Sequence, residues 1–198
     1  ASSVFKAEQY EKAGAGFMEV ARLHPQTEYA PVSLYNAGLA YKRMQRWEEA
    51  LAAFQNYAQK FPEKAKAERV AEEVAGLYES QRNFQAALAT LDGYRQTLKP
   101  EEDAWLEVTL RMGEDALALG NDARAIETWR AAARFPQRGH VGRLTTLARL
   151  GELLERVGRR EEAVVVYRDL ASSTTKPEWV SAAKARVEAI LAESVRKP

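Results

Sequence analysis

A chain of 198 residues and 22.2 kDa, 46% hydrophobic and 29% charged, is long enough to bury a core as one domain without staples, and its composition excludes a wholly disordered or fibrous protein. Its 29 Lys and Arg nearly cancel 28 Asp and Glu, leaving a formal charge of +1, so the overall electrostatic footprint of a nucleic-acid or anionic-membrane binder is missing. The absence of cysteine excludes disulfide frameworks, thiol catalysis and Cys-bearing metal sites, and it suits the cytoplasm and the periplasm of a bacterium alike.

The chain opens Ala1-Ser2-Ser3-Val4-Phe5-Lys6, with neither Met nor the charged and apolar regions of a signal peptide, which suggests a processed or excised start. No apolar run approaches the ~20 residues that span a bilayer; the longest are short, such as Ala163–Tyr167. The segment from about Tyr10 to Leu23 is expected to be the second helix of a hairpin whose first helix precedes Ala1, so that the chain begins inside a longer array. From there one pattern recurs. Alanine followed four residues later by a large apolar residue occurs at Ala13/Phe17, Ala50/Phe54, Ala87/Leu91, Ala125/Trp129 and Ala163/Tyr167, 37 to 38 residues apart. Twelve residues before four of these alanines stands another small residue: Gly38, Ala75, Gly113 and Gly151. Pro25, Pro62, Pro100, Pro136 and Pro177 close the successive units.

The period is that of a stack of helical hairpins. Segments such as Tyr35–Met44 and Leu147–Val157 carry apolar residues at three- and four-residue spacing among strong helix formers, and no segment alternates like a strand. The small residues let the two helices of a hairpin approach, and the aromatic four residues on is expected to fill the space between hairpins. Turns within hairpins are expected at Gln45-Arg46, Arg82-Asn83, Gly120-Asn121-Asp122 and Gly158-Arg159. Glu178 to Val195 is expected to be a final solvating helix that covers the last open face, docked by Trp179 and Val180, or alternatively the first helix of another repeat cut off at Pro198.

In these features the chain resembles the tetratricopeptide repeat (TPR) family over nearly its whole length. The best copy runs Leu34, Ala37, Gly38, Tyr41, then Ala50, Phe54 and Pro62, with Leu34 where the family commonly has tryptophan. The last copy runs Leu147, Leu150, Gly151, Leu154, Ala163 and Tyr167. The resemblance implies an all-α fold, a right-handed TPR solenoid of antiparallel helix hairpins forming a single array over 1–198. Its parts would be a half-repeat at 4–25, repeats at about 29–62, 65–100, 101–136 and 143–177, and a terminal helix at 178–195. The longer joints, such as Pro25-Gln26-Thr27-Glu28-Tyr29-Ala30, resemble those of TPR proteins of the Gram-negative envelope, among them the lipoprotein of outer-membrane assembly and the Tol/Pal-associated periplasmic protein.

Chemistry-bearing motifs are absent from the sequence. His24 and His140 are the only histidines and do not pair at helical spacing, Gly14-Ala15-Gly16 lacks a preceding strand, and no phosphate-binding loop, nucleophile elbow or metalloprotease motif occurs. No catalytic, metal or cofactor site is expected, and the chain is not expected to be an enzyme. The resemblance implies instead a protein-protein interaction scaffold, with a partner peptide or helix held in a concave groove lined by the first helices. By matching positions the groove candidates are Tyr35, Leu39, Lys42 and Arg43, then Arg69, Glu72, Gly76 and Glu79, then Leu110, Glu114 and Leu117, and finally Ala148, Arg149, Glu152 and Arg156. Tyr35, Leu39, Glu72 and Glu114 stand where the family's chaperone-tail clamp has Asn and basic residues, which argues against that role. Between Arg130 and Arg160 eight Arg face only Glu152 and Glu155. Arg143, Arg149 and Arg156 are therefore expected to form one strip able to take an acidic segment, its charge partly silenced by Glu152 and Glu155 on the same helix. An RNA-binding repeat protein using residues 130–160 is the alternative, although exposed aromatics interleaved with the arginines are missing.

Overall fold

The computed structural model describes the backbone of residues 2–196 and the side chains of 9–193 apart from residue 67, so the start at Ala1 and the end at Pro198 lie outside the described residues. It is all-helical, with 79% of the chain in helix and no strand among the described residues. In chain order the helices are α1 (Ser2–Leu23), α2 (Tyr29–Arg43), α3 (Trp47–Lys60), α4 (Pro62–Ala67), α5 (Val70–Ser80), α6 (Phe84–Arg95), α7 (Asp103–Ala118), α8 (Asp122–Ala132), α9 (Val141–Arg156), α10 (Arg160–Ser172) and α11 (Pro177–Arg196). They fall into two compact units, Ala1–Tyr94 and Arg95–Pro198.

In the first unit α2 packs between α1 and α3, and α5 returns onto α3 through the short α4. The core joins Leu34, Ala37 and Tyr41 of α2 to Ala50, Phe54 and Tyr57 of α3 and to Val70, Val74 and Leu77 of α5. In the second unit α7 and α8 pair, α9 and α10 pair, and α11 lies on α10. Leu106, Trp129, Leu144, Leu147, Leu150 and Leu154 are fully buried there.

Size complementarity sets the approach within each hairpin. A methyl group added at Gly38 would lie 2.7 Å from the Phe54 ring, at Gly151 2.6 Å from Tyr167, and at Gly113 2.0 Å from the Trp129 indole nitrogen. The ring thus sits on the glycine of its own hairpin, not in the space between hairpins as the sequence pattern suggested. The reason is steric: without a Cβ the first helix leaves a flat seat that the ring fills at core density.

Each hairpin turns through the same left-handed residue: Gln45 (φ 59), Arg82 (φ 58), Gly120 (φ 72) and Gly158 (φ 80). The next amide closes back on the first helix, Arg46 N–H on Tyr41 O at 3.0 Å and Arg159 N–H on Leu154 O at 2.8 Å, and Asn83 and Asn121 do the same. This is the glycine-favouring helix stop, and two of its four instances lack glycine. Gln45→Gly and Arg82→Gly should therefore each raise stability by about 0.5–1 kcal/mol, relief of the left-handed penalty exceeding the added freedom of the unfolded chain. Both side chains are exposed, so no packing is lost. Urea unfolding midpoints that stay put or fall would remove this account of the turns.

The joints hold what periodicity does not foretell. Pro62 and Pro177 open α4 and α11 at their first residues, positions where the missing N–H costs nothing. The imidazole Nδ1 of His140 accepts the Gly142 N–H at 3.1 Å and caps α9.

Candidate interaction surface

A first helix has two demands on it. One face must meet the neighbouring helices, and on α2 that face is Ala30, Leu34, Ala37, Gly38 and Tyr41, all buried. The other face, one hundred degrees or so around, is not taken up by that packing.

In the first unit the surface candidates lie on α2 and at the start of α5. Tyr35 is half-buried, its ring 5.6 Å from Phe54 and 6.1 Å from Tyr57, and burial followed by the nearby carboxylates of Glu73 and Glu68 pushes its phenol up. Leu39 is half-buried against the same core. Lys42 Nζ donates to Glu73 Oε2 of α5 at 2.6 Å, and Arg43 spreads over the Tyr10 ring of α1, 5.6 Å from its centre. Arg69, left-handed at φ 55, donates through Nη2 to Glu72 Oε2 at 2.9 Å.

In the second unit Leu110 and Leu117 of α7 are half-buried, and the Leu110 carbonyl accepts the Trp129 indole N–H at 2.9 Å. Glu114 is paired with Arg149 of α9 at 3.2 Å. Arg156 reaches Asp122 of α8 at 3.0 Å, and Glu155 is paired with Arg186 of α11, whose Nε is 3.1 Å from Oε1. Glu152, Glu155, Arg156 and Arg186 line one polar depression. Burial alone would raise the Glu155 carboxyl, but hydrogen bonds from Arg186 and from the Tyr167 hydroxyl at 2.7 Å hold it below the ordinary carboxylate range. The Tyr167 phenol is pushed well above its usual range, by burial first and then by Glu155.

Two expectations need correcting. Arg143 does not join Arg149 and Arg156 on the surface: it is only 6% exposed. Its guanidinium donates to Ala133 O at 2.7 Å, Arg138 O at 3.3 Å, Ser173 Oγ at 2.7 Å and Asp169 Oδ2 at 2.6 Å. It lies in the first turn of α9, where the carbonyl after the end of α8 and the Ser173 and Asp169 side chains at the end of α10 converge on it. Nor are Arg149 and Arg156 paired with Glu152 or Glu155 along their own helix; their acids come from α7 and α8. Helices packed side by side bring residues one repeat apart as near as residues one turn apart.

The pairs Lys42–Glu73, Glu114–Arg149 and Glu155–Arg186 each join one first helix to the next within a unit. Glu73 and Arg149 stand two residues before the small residue of their helices. By burial Ala183 and Ile190 of α11 take the places of Thr146 and Leu153 of α9, which puts Arg186 where Arg149 stands. Sequence reasoning passed over Glu73, Arg186 and Asp169; the readable signal for the first two was an opposite charge one repeat earlier on the preceding first helix. The same register sets Ser181, Lys184 and Glu188, all exposed, where α9 has Leu144, Leu147 and Gly151, so α11 turns a polar face outward.

No cluster of His, Asp and Glu among the described residues could hold a metal ion, and no described helix is long and apolar enough to cross a membrane. Tetratricopeptide repeat family models match residues 32–64 and 146–178. No curated protein matches the chain by sequence. Among solved structures the fold is similar to MamA (TM-score 0.62, 15% identity, 83% of this chain and 88% of that one). It is likewise similar to BtubC from P. vanneervenii (0.64, 11%, 96% and 83%) and to a TPR repeats protein from Bacteroides fragilis (0.56, 16%, 97% and 95%). Nothing among these matches carries the likeness to envelope lipoproteins. The glycine seats, the repeated turns and these likenesses together make the chain an all-α protein built of tetratricopeptide repeats, a fold that generally serves as a protein-protein interaction scaffold.

Proposed function

We propose that the chain is a non-catalytic scaffold whose first-helix faces hold a peptide or helix of another protein. The observation that carries this reading is the makeup of those faces. Tyr35 and Leu39 in the first unit, and Leu110 and Leu117 in the second, keep apolar surface open, while the charges beside them are matched by Lys42–Glu73 and Glu114–Arg149. In each unit, a face that is apolar and internally neutralised favours the apolar face of an amphipathic helix over a highly charged ligand. Joint length alone supports the likeness to envelope TPR proteins, and it fixes no compartment.

The RNA-binding alternative has no support. Seven of the eight arginines between 130 and 160 are ion-paired, so the positive strip on which that reading depended is largely neutralised.

Crosslinking mass spectrometry of captured complexes should place partner crosslinks on α2, α5, α7 and α9. Leu39→Ala should weaken binding about tenfold, as for an interface anchor, with little change in thermal midpoint. Gln59→Ala, on the exposed side of α3, should change neither. Crosslinks confined to α3, α8 and α10 would refute the assignment.

A further inference from the structure

Seven of the eight arginines between 130 and 160 are matched by acids; the eighth, Arg134, is exposed, and its guanidinium has no ion-pair or hydrogen-bond partner among the described residues. It stands just past the end of α8, where two hollows of the second unit share its side chain and Ala131. The first, about 360 Å³, is walled by Pro100, Trp105, Phe135 and Pro136, with Glu101 beside them. Phe135, 3% exposed, clusters with Leu106 and Ala132, and its ring lies 5.3 Å from that of His140, so this wall is fixed. Trp105 contributes a half-buried indole, and the two prolines stiffen the joints that carry them. The second hollow, about 390 Å³, lies between α8 and the start of α10 and is lined by Arg130 and Arg159, with Glu127. Arg159 donates to both oxygens of Glu162 at 2.6 and 2.9 Å and Arg130 reaches the same carboxylate, so one acid serves two guanidinium groups.

We propose that the two hollows together are a docking site for an acidic segment of a partner protein that carries an aromatic side chain, distinct from the first-helix faces discussed above. Charge complementarity selects this occupant. The aromatic ring enters the proline-walled pocket, where apolar and aromatic surface meets it on several sides. A carboxylate beside it takes the planar fork of Arg134, which has no acid of its own, and a further carboxylate supplements the shared Glu162 between Arg130 and Arg159. A hollow that takes a single side chain suits an extended or turned segment better than the long apolar stripe of an amphipathic helix. Glu101 in the first hollow and Glu127 in the second repel a continuous polyanion, so a peptide with a few acids is favoured over a nucleic-acid strand.

The test selects random peptides displayed on phage against the full chain. Selection should enrich sequences in which an aromatic residue is followed or preceded closely by Asp or Glu. The most enriched peptide, synthesised with a fluorescein label, should bind saturably by fluorescence anisotropy. Arg134→Glu in the chain, and alanine in place of the aromatic residue in the peptide, should each weaken that binding at least about tenfold. Circular dichroism of the Arg134→Glu chain should match the parent, since the side chain is exposed. Failure to enrich acidic aromatic peptides, or binding indifferent to Arg134→Glu, overturns the proposal. So does saturable binding of a labelled single-stranded RNA that Arg134→Glu abolishes, which would make nucleic acid the occupant.

Discussion

Gly113→Ala should lower the stability of the chain by about 2–4 kcal/mol, and Trp129→Leu introduced alongside it should return much of the loss. The new methyl would stand 2.0 Å from Trp129 Nε1 and 2.5 Å from Cε2, distances that no side-chain rotation of alanine relieves. The indole is 1% exposed and fixed by its hydrogen bond to Leu110 O at 2.9 Å, so it has no solvent to swing into. Overpacking of this kind costs about 1–3 kcal/mol, and the indole N–H pulled from its acceptor adds about 1–3. Against these stands the better helix propensity of alanine, worth about 1 kcal/mol. The chain contains its own precedent for the rescue: the second repeat has Ala75 and Leu91 at these positions, both fully buried. Urea unfolding followed by circular dichroism measures the parent and both variants. Equal loss in the single and double variants would show that Gly113 is needed for something other than the ring's seat.

What the sequence made legible is what repeats and what is local. The alternation of small and large residues at Ala50/Phe54 and Ala163/Tyr167 locates the hairpins because the same steric fit is imposed in each copy. Turns were legible even at Gln45 and Arg82, since a break in helical periodicity marks them without glycine. The six-residue α4 was not legible: it buries Ala65 and offers no apolar period, and Pro62 reads equally well as the end of α3 or the start of a new helix. Charge was legible in amount and not in use. Arg149 looks paired with Glu152 on its own helix because Glu114, the acid it meets, belongs to another one, and Arg143 looks like a surface residue because only the convergence of α8 and α10 buries it.

Arg143→Met should cost about 2–4 kcal/mol and loosen the joint between the two hairpins of the second unit. A buried cation is ordinarily a liability, and its removal is harmless only where its partners can return to water. Here they cannot all do so. Ala133 caps the end of α8 and Ser173 the end of α10, so the guanidinium satisfies the Ala133 carbonyl, binds the Ser173 hydroxyl, and places positive charge at the negative ends of both dipoles. Asp169 keeps a second partner, Arg138 at 3.0 Å, and is 34% exposed, which holds the loss below the ~3–5 kcal/mol of a fully buried pair. Methionine retains the apolar stem and separates lost packing from lost hydrogen bonds. Lysine keeps the charge but lacks the planar fork that reaches acceptors from α8, the joint and α10 together, so Arg143→Lys should recover less than half of the loss. Amide exchange would localise the effect to the ends of α8 and α10 and the start of α9. If Arg143→Lys is as stable as the parent, charge alone suffices at this joint and the four-way geometry of the guanidinium does not matter.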